Sequence, residues 1–438
     1  MAENVSFSPT KSLFIDVLTR DISLKDCILD LLDNSVDSYT RKGITETRNI
    51  SLTISENIFE IIDYCGGISK QDLLNEVFRF GMTDEDDHKN TIGVYGIGLK
   101  RAIFKIGNDI IFETDDGTDY CNFRIDVPAW LASKEWGLPL TVTHKSALNG
   151  GKPYTKITIS NLRDETKDRF RTTAFVGEIK DGISIYYSMF INSKKLSFTV
   201  NNEKLIGYEI KIFASNDYKP VKYEETYNNV AIRIICWLHV SEQKILPSGW
   251  NVYMNDRLII LDDTTKETGW TGDKAYLPQY HNIFNQFRGI VFLETNEPNK
   301  LPMNTSKNGF NKDSQIYHYL LIKMCEVARP IINYLSNKYN VSKSESDDKE
   351  EQLSANISAD SGSQMEPGEY SLTETTYKTN FTPPVIKTPI KKDGTIQYIK
   401  PKEKIAIAKK ILNVKANWEV GSKTFDYFWD TEGLDDNK

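Results

Sequence analysis

The sequence lacks the marks of several common protein classes. Its five cysteines, Cys27, Cys65, Cys121, Cys236 and Cys325, lie far apart without a CxxC pair, which argues against a zinc site or a disulfide framework. No apolar run reaches the roughly 18 residues of a membrane span, and no basic segment followed by a long apolar run stands at the start. We therefore expect a soluble, cytoplasmic protein with no membrane contact.

A large excess of positive charge is also missing. The 61 acidic residues outnumber the 54 basic ones, which gives a formal net charge of −7. A chain with this balance is no general polyanion binder, so binding of nucleic acid would have to rest on a local basic patch. The 438-residue length and the hydrophobic content of 39% favour two or three folded domains.

The composition changes abruptly along the chain. Residues 1 to about 340 mix strand-like and helix-like patterns, whereas residues 341–377 are rich in Ser and acids and nearly empty of large apolar residues. This composition predicts a disordered linker. Aromatic residues return in 378–438 after a lysine-rich stretch, so we expect this tail to dock on a protein partner.

Local patterns outline the first part of the folded body. Ser23 and Asp26 have the spacing of a helix start, and the apolar positions after them predict a helix over roughly 23–41. Two strands joined by a turn at Glu56-Asn57 follow, and then a short helix, a polar loop, a second helix and further strands. This order predicts an α/β layer with a mixed, largely antiparallel sheet.

The helix over 23–41 carries polar residues on one face. Asp30, Asn34 and Asp37 stand at i, i+4 and i+7, while the leucines between them can enter the core. Together with Asp33, these carboxylates repel one another unless solvent or a cation lies between them. An ordinary amphipathic helix with a wet acidic face would give the same pattern.

A second polar element, IIDYCGGIS, ends the second predicted strand. Asp63 stands where it could accept a hydrogen bond from a purine amino group, and Gly66 and Gly67 allow the backbone to approach a flat ring. The alternative is a plain turn, in which Asp followed by glycine is also common.

The third element, GVYGIGLKRAIFKIG, places three glycines directly before a helix. Gly93, Gly96 and Gly98 lead into a helix N-terminus, whose free N–H groups and dipole favour a phosphate, and Lys100 adds a charge in the first turn. The segment is not a Walker A loop, and it lacks the strand-glycine-helix order of a dinucleotide fold.

The three elements, in this order and at these separations, resemble the GHKL superfamily, which includes gyrase B, heat-shock chaperones, histidine kinases, MutL and the MORC proteins. The resemblance covers roughly residues 10–340. It implies an α/β fold in which a Bergerat-type ATP-binding α+β sandwich over 1–205 is followed by an S5-like α/β transducer domain over 206–340 and a flexible C-terminal extension. The transducer comparison rests on GWNVYMNDRLII and RGIVFLETNEPNKLPMNTSKNGF, which look like the MutL and MORC branch.

The resemblance also implies roles for individual residues. Asp30 matches the general base that activates water, and Lys307 matches a transducer lysine that reaches the terminal phosphate of ATP. Asn34 matches the ligand of Mg²⁺, Asp63 the residue that reads the adenine amino group, and Thr155 a threonine that supports it through a water. The other implied nucleotide-binding positions are Asp37, Gly67, Ile68, Gly93, Val94, Tyr95, Gly96, Ile97, Gly98, Leu99 and Lys100.

Two departures from the family pattern bear on the expected activity. The usual base is Glu, and Asp30 is one methylene shorter, so slow hydrolysis is expected. The first glycine after Asp63 is displaced by one position while the second is in place, and adenine binding should survive this shift.

The resemblance thus implies a Mg-dependent ATP-binding protein with weak ATPase activity that forms a homodimer on binding ATP. Analogy with GHKL proteins of bacterial anti-phage systems suggests a role of that kind. The alternative is a non-hydrolysing, ATP-sensing scaffold that regulates a partner through residues 378–438, and nucleic acid is a further candidate partner. We do not expect a histidine kinase, because the five histidines are scattered, or a topoisomerase, because no further domain with a cleavage tyrosine follows.

Overall fold

The computed structural model describes residues 10–79, 92, 96–144, 151–215, 218–239, 247–345, 362–365, 381–383 and 399–432. The chain divides into two compact units, Met1–Ile386 and Lys387–Lys438. The helices of the first unit are α1 (Lys11–Arg20), α2 (Leu24–Arg41), α3 (Lys70–Asp72), α4 (Gly98–Ile106), α5 (Val127–Ala132), α6 (Asp164–Phe170), α7 (Thr173–Tyr186), α8 (Ser188–Asn192) and α9 (Gln315–Glu345).

Its strands form three sheets. They are β1 (Arg48–Ile54), β2 (Phe59–Asp63), β3 (Gly107–Asp115), β4 (Tyr120–Asp126), β5 (Thr141–Thr143), β6 (Tyr154–Leu162), β7 (Leu196–Val200), β8 (Glu203–Lys204), β9 (Ile212–Ser215), β10 (Val221–Tyr227), β11 (Val230–Leu238), β12 (Gly249–Met254), β13 (Arg257–Asp263), β14 (Phe287–Glu294) and β15 (Gly362–Met365). A π-helical turn, Leu73–Val77, continues α3, and short 3-10 turns occur at Lys266–Thr268, Asn282–Phe284 and Pro298–Lys300.

The first sheet has the strand order β5-β4-β3-β6-β2-β1-β7-β8. β1 and β7 pair in parallel, and the other neighbours pair antiparallel. The predicted α/β class and the predicted mixed, largely antiparallel sheet are therefore confirmed. In the centre of the sheet, Asp63 at the end of β2 stands opposite Thr155 of β6.

Helix α2 forms where its sequence pattern predicted it. Ser23 is the N-cap, and its hydroxyl oxygen accepts a hydrogen bond of 3.0 Å from the Asp26 backbone N–H. Apolar side chains at helical spacing enter the core between α2, α4 and the sheet, and burial of each contributes about 1.5–3 kcal/mol. The most deeply buried are Ile28, Leu29, Leu31, Leu32 and Val36. This packing fixes the orientation of the polar residues on the same helix.

A second sheet has the order β10-β11-β14-β12-β13 and contains one parallel pair, β12 with β14. Asn255 and Asp256 join β12 to β13, and both have positive φ angles, 46° and 66°, as a tight hairpin turn requires. Helix α9 packs on this sheet and continues through Pro330. The hairpin directs Arg257, the first residue of β13, toward the first sheet. The second sheet, α9 and the loop between them that carries Lys307 are together called the second sheet domain.

Two described parts of the segment 341–377, which its composition predicted to be a disordered linker, have regular secondary structure. Helix α9 extends to Glu345, and β15 pairs antiparallel with β9. Further on, Lys219 and Thr382 exchange backbone hydrogen bonds of 3.1 and 3.2 Å, and Phe381 packs edge-on against Tyr218. Strand pairing uses backbone groups and needs few apolar side chains, so composition gave no sign of it. The division between the units, after Ile386, also lies beyond the predicted start of the tail at residue 378.

The second unit contains α10 (Lys402–Leu412) and α11 (Asn417–Thr431), which pack against each other. Pro401 is the N-cap of α10. The side chains of Trp418, Tyr427 and Phe428 are exposed in this unit. That the tail docks on a partner stays a prediction.

All five cysteines are free and buried, two of them in the second sheet domain. Burial raises the pKa of every thiol, for Cys27 to about 12 and for Cys325 to about 11. No disulfide links them. Separately, none of the helices in the described ranges combines the length and the apolar character that crossing a membrane requires.

Candidate functional site

Asp30 of α2 is 3% exposed and is held by two cations. Arg101 of α4 places Nε and Nη2 each 2.6 Å from Oδ2, and Lys307 Nζ lies 3.2 Å from Oδ1. Gly98, the first residue of α4, packs so closely that a Cβ there would lie 3.2 Å from the Asp30 Cγ. Asp30 is therefore fixed between the helix that follows the glycine-rich loop and a loop of the second sheet domain.

Asp33, three residues further along α2, is the most deeply buried carboxylate of the site. Its Oδ1 accepts hydrogen bonds from Arg257 Nε at 2.6 Å and from the Tyr187 hydroxyl at 2.7 Å, while its Oδ2 accepts one from Lys307 Nζ at 2.7 Å. Burial by itself raises the pKa of Asp33, but Arg257 and Lys307 outweigh it, and the pKa lies below its ordinary value.

Lys307 shows the reciprocal effect. Burial alone would lower the pKa of its ammonium group, but Asp33 and Asp30 raise the pKa above its ordinary value. Both Asp33 and Lys307 are therefore charged at neutral pH. The repulsion that the sequence predicted among the acids of α2 is relieved by cations that arrive from distant parts of the chain.

Asn34 and Asp37 complete the predicted polar face of α2. The Asn34 side chain is exposed, whereas Asp37 is buried and its Oδ1 accepts a hydrogen bond of 2.6 Å from the Ile92 backbone N–H. Asp37 thus fixes the residue that directly precedes the glycine-rich loop. The predicted loop residues Gly93, Val94 and Tyr95 lie outside the described residues.

Asp63 is buried next to α2, at the end of β2. Its Oδ1 accepts a hydrogen bond of 2.9 Å from the Cys65 backbone N–H, and its Oδ2 accepts one of 3.0 Å from the Ser35 hydroxyl. Burial raises the pKa of Asp63 to about 6, and these hydrogen bonds offset only part of the effect. A buried carboxyl group so placed is suited to accept a hydrogen bond from a ligand.

Two further predicted positions adjoin Asp63 through the sheet. Thr155 lies beside it in the register of β2 and β6, and its hydroxyl is 3.4 Å from that of Thr114. The Thr114 hydroxyl in turn accepts a hydrogen bond of 2.7 Å from the Ile68 backbone N–H. The structure therefore brings Asp63, Thr155 and Ile68 together, while their roles in binding a nucleotide stay predictions.

The turn after Asp63 needs glycine at both positions. Gly66 and Gly67 have φ angles of +101° and +63°, and a Cβ at Gly67 would lie 2.1 Å from the carbonyl oxygen of Asp115. The Lys42 ammonium group donates to both glycine carbonyls, at 2.7 Å in the case of Gly67. The close packing of the turn on β3 thus explains why position 67 requires glycine, whether or not a ligand binds there.

The end of the glycine-rich loop leads into α4 through Gly96, with φ of +63°, and Ile97, the N-cap. Lys100 is buried, and its ammonium group contacts the carbonyl oxygens of Arg79 and Gly96. Burial lowers the pKa of Lys100 to about 8. Lys100 therefore joins the two chain segments on either side of residues 80–91, while Leu99 packs against the core beside it.

Residues 22–152 match the family described as histidine kinase-, DNA gyrase B-, and HSP90-like ATPases. These residues form a GHKL-type ATPase domain. The match contains α2, the turn after Asp63 and the glycine-rich loop, and it ends just before β6. No curated protein matches the chain, and the MutL or MORC branch stays a prediction.

The donor groups of this GHKL domain fit Mg-ATP. In the part of the chain that the structure describes, no group of three His, Cys, Asp or Glu side chains could hold a metal ion by itself. Mg²⁺ is commonly bound by one or two protein oxygens together with substrate phosphates, and the amide oxygen of the exposed Asn34 is a ligand of that kind. Asp63 is a buried carboxylate next to α2.

Sequence reasoning missed three residues of the site. Arg101 lies within the glycine-rich motif. A basic residue in the first turn of the helix after the glycines could have been predicted to pair with the acidic residues of α2. Arg257 and Tyr187 had no local signal, because they contact Asp33 across 224 and 154 residues of sequence.

Proposed function

We propose that the protein binds Mg-ATP in its GHKL domain, hydrolyses it slowly and uses the bound nucleotide to control the pairing of two copies. The observation that carries the proposal is the position of Lys307, which reaches from the second sheet domain to Asp30 and Asp33 on α2. A cation that crosses between domains can report which anion is bound beside it. The GHKL family supplies ATP as the expected ligand.

In this proposal Asn34 holds Mg²⁺, which when bound neutralises the phosphates and makes the terminal phosphorus more open to attack. Asp63 accepts a hydrogen bond from the adenine amino group, supported by Thr155. The N-terminus of α4 at Gly98 would face the phosphates, because the dipole of a helix favours an anion at that end.

Asp30 is the proposed general base, which would accept a proton from the water that attacks the terminal phosphorus, while the bond from that phosphorus to the bridging oxygen breaks and ADP leaves. Lys307 lies 3.2 Å from its Oδ1, so this oxygen becomes a good acceptor only after Lys307 turns to another anion. A terminal phosphate has the higher charge and would attract the ammonium group. Hydrolysis would then depend on the second sheet domain, which fits a switch with slow turnover.

A second candidate is a non-hydrolysing, ATP-sensing scaffold that regulates a partner through its tail. The contact of Arg101 with Asp30 favours it, because Nε and Nη2, each 2.6 Å from Oδ2, occupy an oxygen that would otherwise be open to an attacking water. In either case a role in bacterial anti-phage defence is a hypothesis by analogy with GHKL proteins of such systems.

A time course of phosphate release separates the two candidates. If Asp30 is the base, Asp30→Asn should keep ATP binding and lower the rate by roughly 10²-fold or more, because the amide keeps the shape and loses the proton acceptor. Asp16→Asn, on the exposed side of α1, is the matched control. Light scattering with a non-hydrolysable ATP analogue and with ADP reports the pairing of copies.

The outcomes are distinct. If the parent protein binds ATP but releases no phosphate, the second candidate, the non-hydrolysing scaffold, is supported. A variant that releases phosphate at the parental rate places the base elsewhere. A parent that binds no nucleotide removes both candidates.

A further inference from the structure

Lys307 already has a partner of opposite charge. Its Nζ lies 2.7 Å from Asp33 Oδ2 and 3.2 Å from Asp30 Oδ1, and the side chain is 8% exposed. A charge-assisted hydrogen bond shielded from water is one of the stronger polar contacts in a protein. Lys307 can therefore contact a phosphate only after giving up a strong existing contact.

Arg257 anchors the backbone of the same loop. Its Nε donates to Asp33 Oδ1 at 2.6 Å, and its Nη1 donates to the carbonyl oxygen of Lys307 at 3.0 Å. The Lys307 backbone has a φ of 55°, a left-handed conformation that is uncommon outside glycine. The backbone of Lys307 is thus held independently of its ammonium group, which is free to change partner while the loop stays in place.

Asp33 has more partners than one carboxylate needs for charge balance. Arg257 neutralises it, and the Tyr187 hydroxyl donates a further hydrogen bond of 2.7 Å. When Lys307 leaves, Asp33 keeps both of these contacts and is not left as an unpaired buried charge. The departure of Lys307 therefore costs Asp33 one of its three contacts and leaves its charge paired with Arg257.

We propose that Asp33 is the counter-ion from which a terminal phosphate must draw Lys307, and that it thereby sets the discrimination between nucleoside triphosphates and diphosphates. The proposal rests on the proposed function, because it requires a nucleotide beside α2. A triphosphate takes Lys307 from Asp33, whereas a diphosphate leaves the pair intact. The contact between Lys307 and Asp33 therefore lowers the affinity of the protein for a triphosphate and leaves its affinity for a diphosphate unchanged.

Calorimetry with ADP and a non-hydrolysable ATP analogue tests this on the full chain. Asp33→Asn keeps the shape and removes the charge, so the affinity for the analogue relative to ADP should rise by about tenfold. In a Lys307→Met background the same change should leave the ratio of the two affinities unaltered, because the ammonium group that pairs with Asp33 is absent. Lys312→Met, which removes a surface lysine that pairs with Glu267, should also leave the ratio unaltered.

Asp33→Asn leaves Arg257 without a carboxylate partner, which can destabilise the fold. The double variant Asp33→Asn with Arg257→Gln removes both charges, and thermal unfolding without nucleotide shows which variant is folded. An unchanged ratio in a folded variant overturns the proposal, as does an equal rise in the Lys307→Met background. If the parent binds neither nucleotide, the proposed function itself fails. If the parent binds both nucleotides and the ratio of their affinities is the same in Asp33→Asn, only this inference fails.

Discussion

Asp63 should make the stability of the nucleotide-free protein fall as the pH rises. Burial raises its folded-state pKa to about 6 from an ordinary value of 3.8. The folded state therefore binds the proton more tightly than the unfolded chain does. The resulting stability is fully present below about pH 4 and is lost as the pH rises through about 6. The difference between the two pKa values corresponds to about 3 kcal/mol.

Asp63→Asn removes this titration. The amide oxygen can still accept one hydrogen bond, from the Cys65 N–H or the Ser35 hydroxyl, and loss of the other costs about 1 kcal/mol at every pH. Relative to the parent, the variant should therefore gain about 2.4 kcal/mol in free energy of unfolding between pH 4 and pH 7, because a small part of the effect is already lost at pH 4. Urea unfolding without nucleotide, at several pH values, measures this difference.

The comparison between parent and variant cancels the titration of all other groups that the two proteins share. Asp16→Asn, at an exposed carboxylate, should show no such gain. If the difference for Asp63→Asn stays constant between pH 4 and pH 7, the carboxyl group is not buried as described. Asp63 would then not be a pre-formed acceptor for the adenine amino group either.

Two further predictions concern the metal and the tail. Asn34→Ala should abolish most of the Mg²⁺ dependence of ATP affinity, because a coordinating oxygen is lost; an unchanged dependence would place the ligand elsewhere. Deleting residues 387–438 should remove a bound protein partner and leave the melting temperature and phosphate release unchanged, since this unit is compact by itself. Recovery of the partner at low and high salt separates protein docking from nucleic-acid contact, and a large fall in melting temperature without loss of a partner would contradict docking.

The parts of the fold that sequence could predict are those set by neighbouring residues. The Ser23 cap and the apolar spacing behind it were enough for α2, and the glycines before α4 marked its start. By contrast, the prediction that Thr155 supports Asp63 through a water came from the family resemblance, and it stays a prediction; the register of β2 and β6 places the two residues opposite each other. Local rules work here because the interactions that decide each element lie within one or two turns.

Contacts between distant segments could not be predicted in this way. Asp33 looked like one more acid on a helix face, and only the folded chain brings Arg257 and Lys307 to it. The pairing of β15 with β9 was hidden because a Ser-rich, acidic composition carries no information about backbone hydrogen bonds. In both cases the deciding partner lies more than 100 residues away in the sequence.

The buried cysteines can be used to measure how often the surrounding structure opens locally. A thiolate is the reactive form of cysteine, and burial both covers these sulfur atoms and raises their pKa, so alkylating reagents should modify them only after the surrounding structure opens. Cys27 and Cys65 lie at α2 and the Asp63 turn, whereas Cys236 and Cys325 lie in β11 and α9. Mass spectrometry after a short alkylation pulse would therefore yield separate opening rates for the nucleotide-binding layer and the second sheet, without a single substitution in the chain.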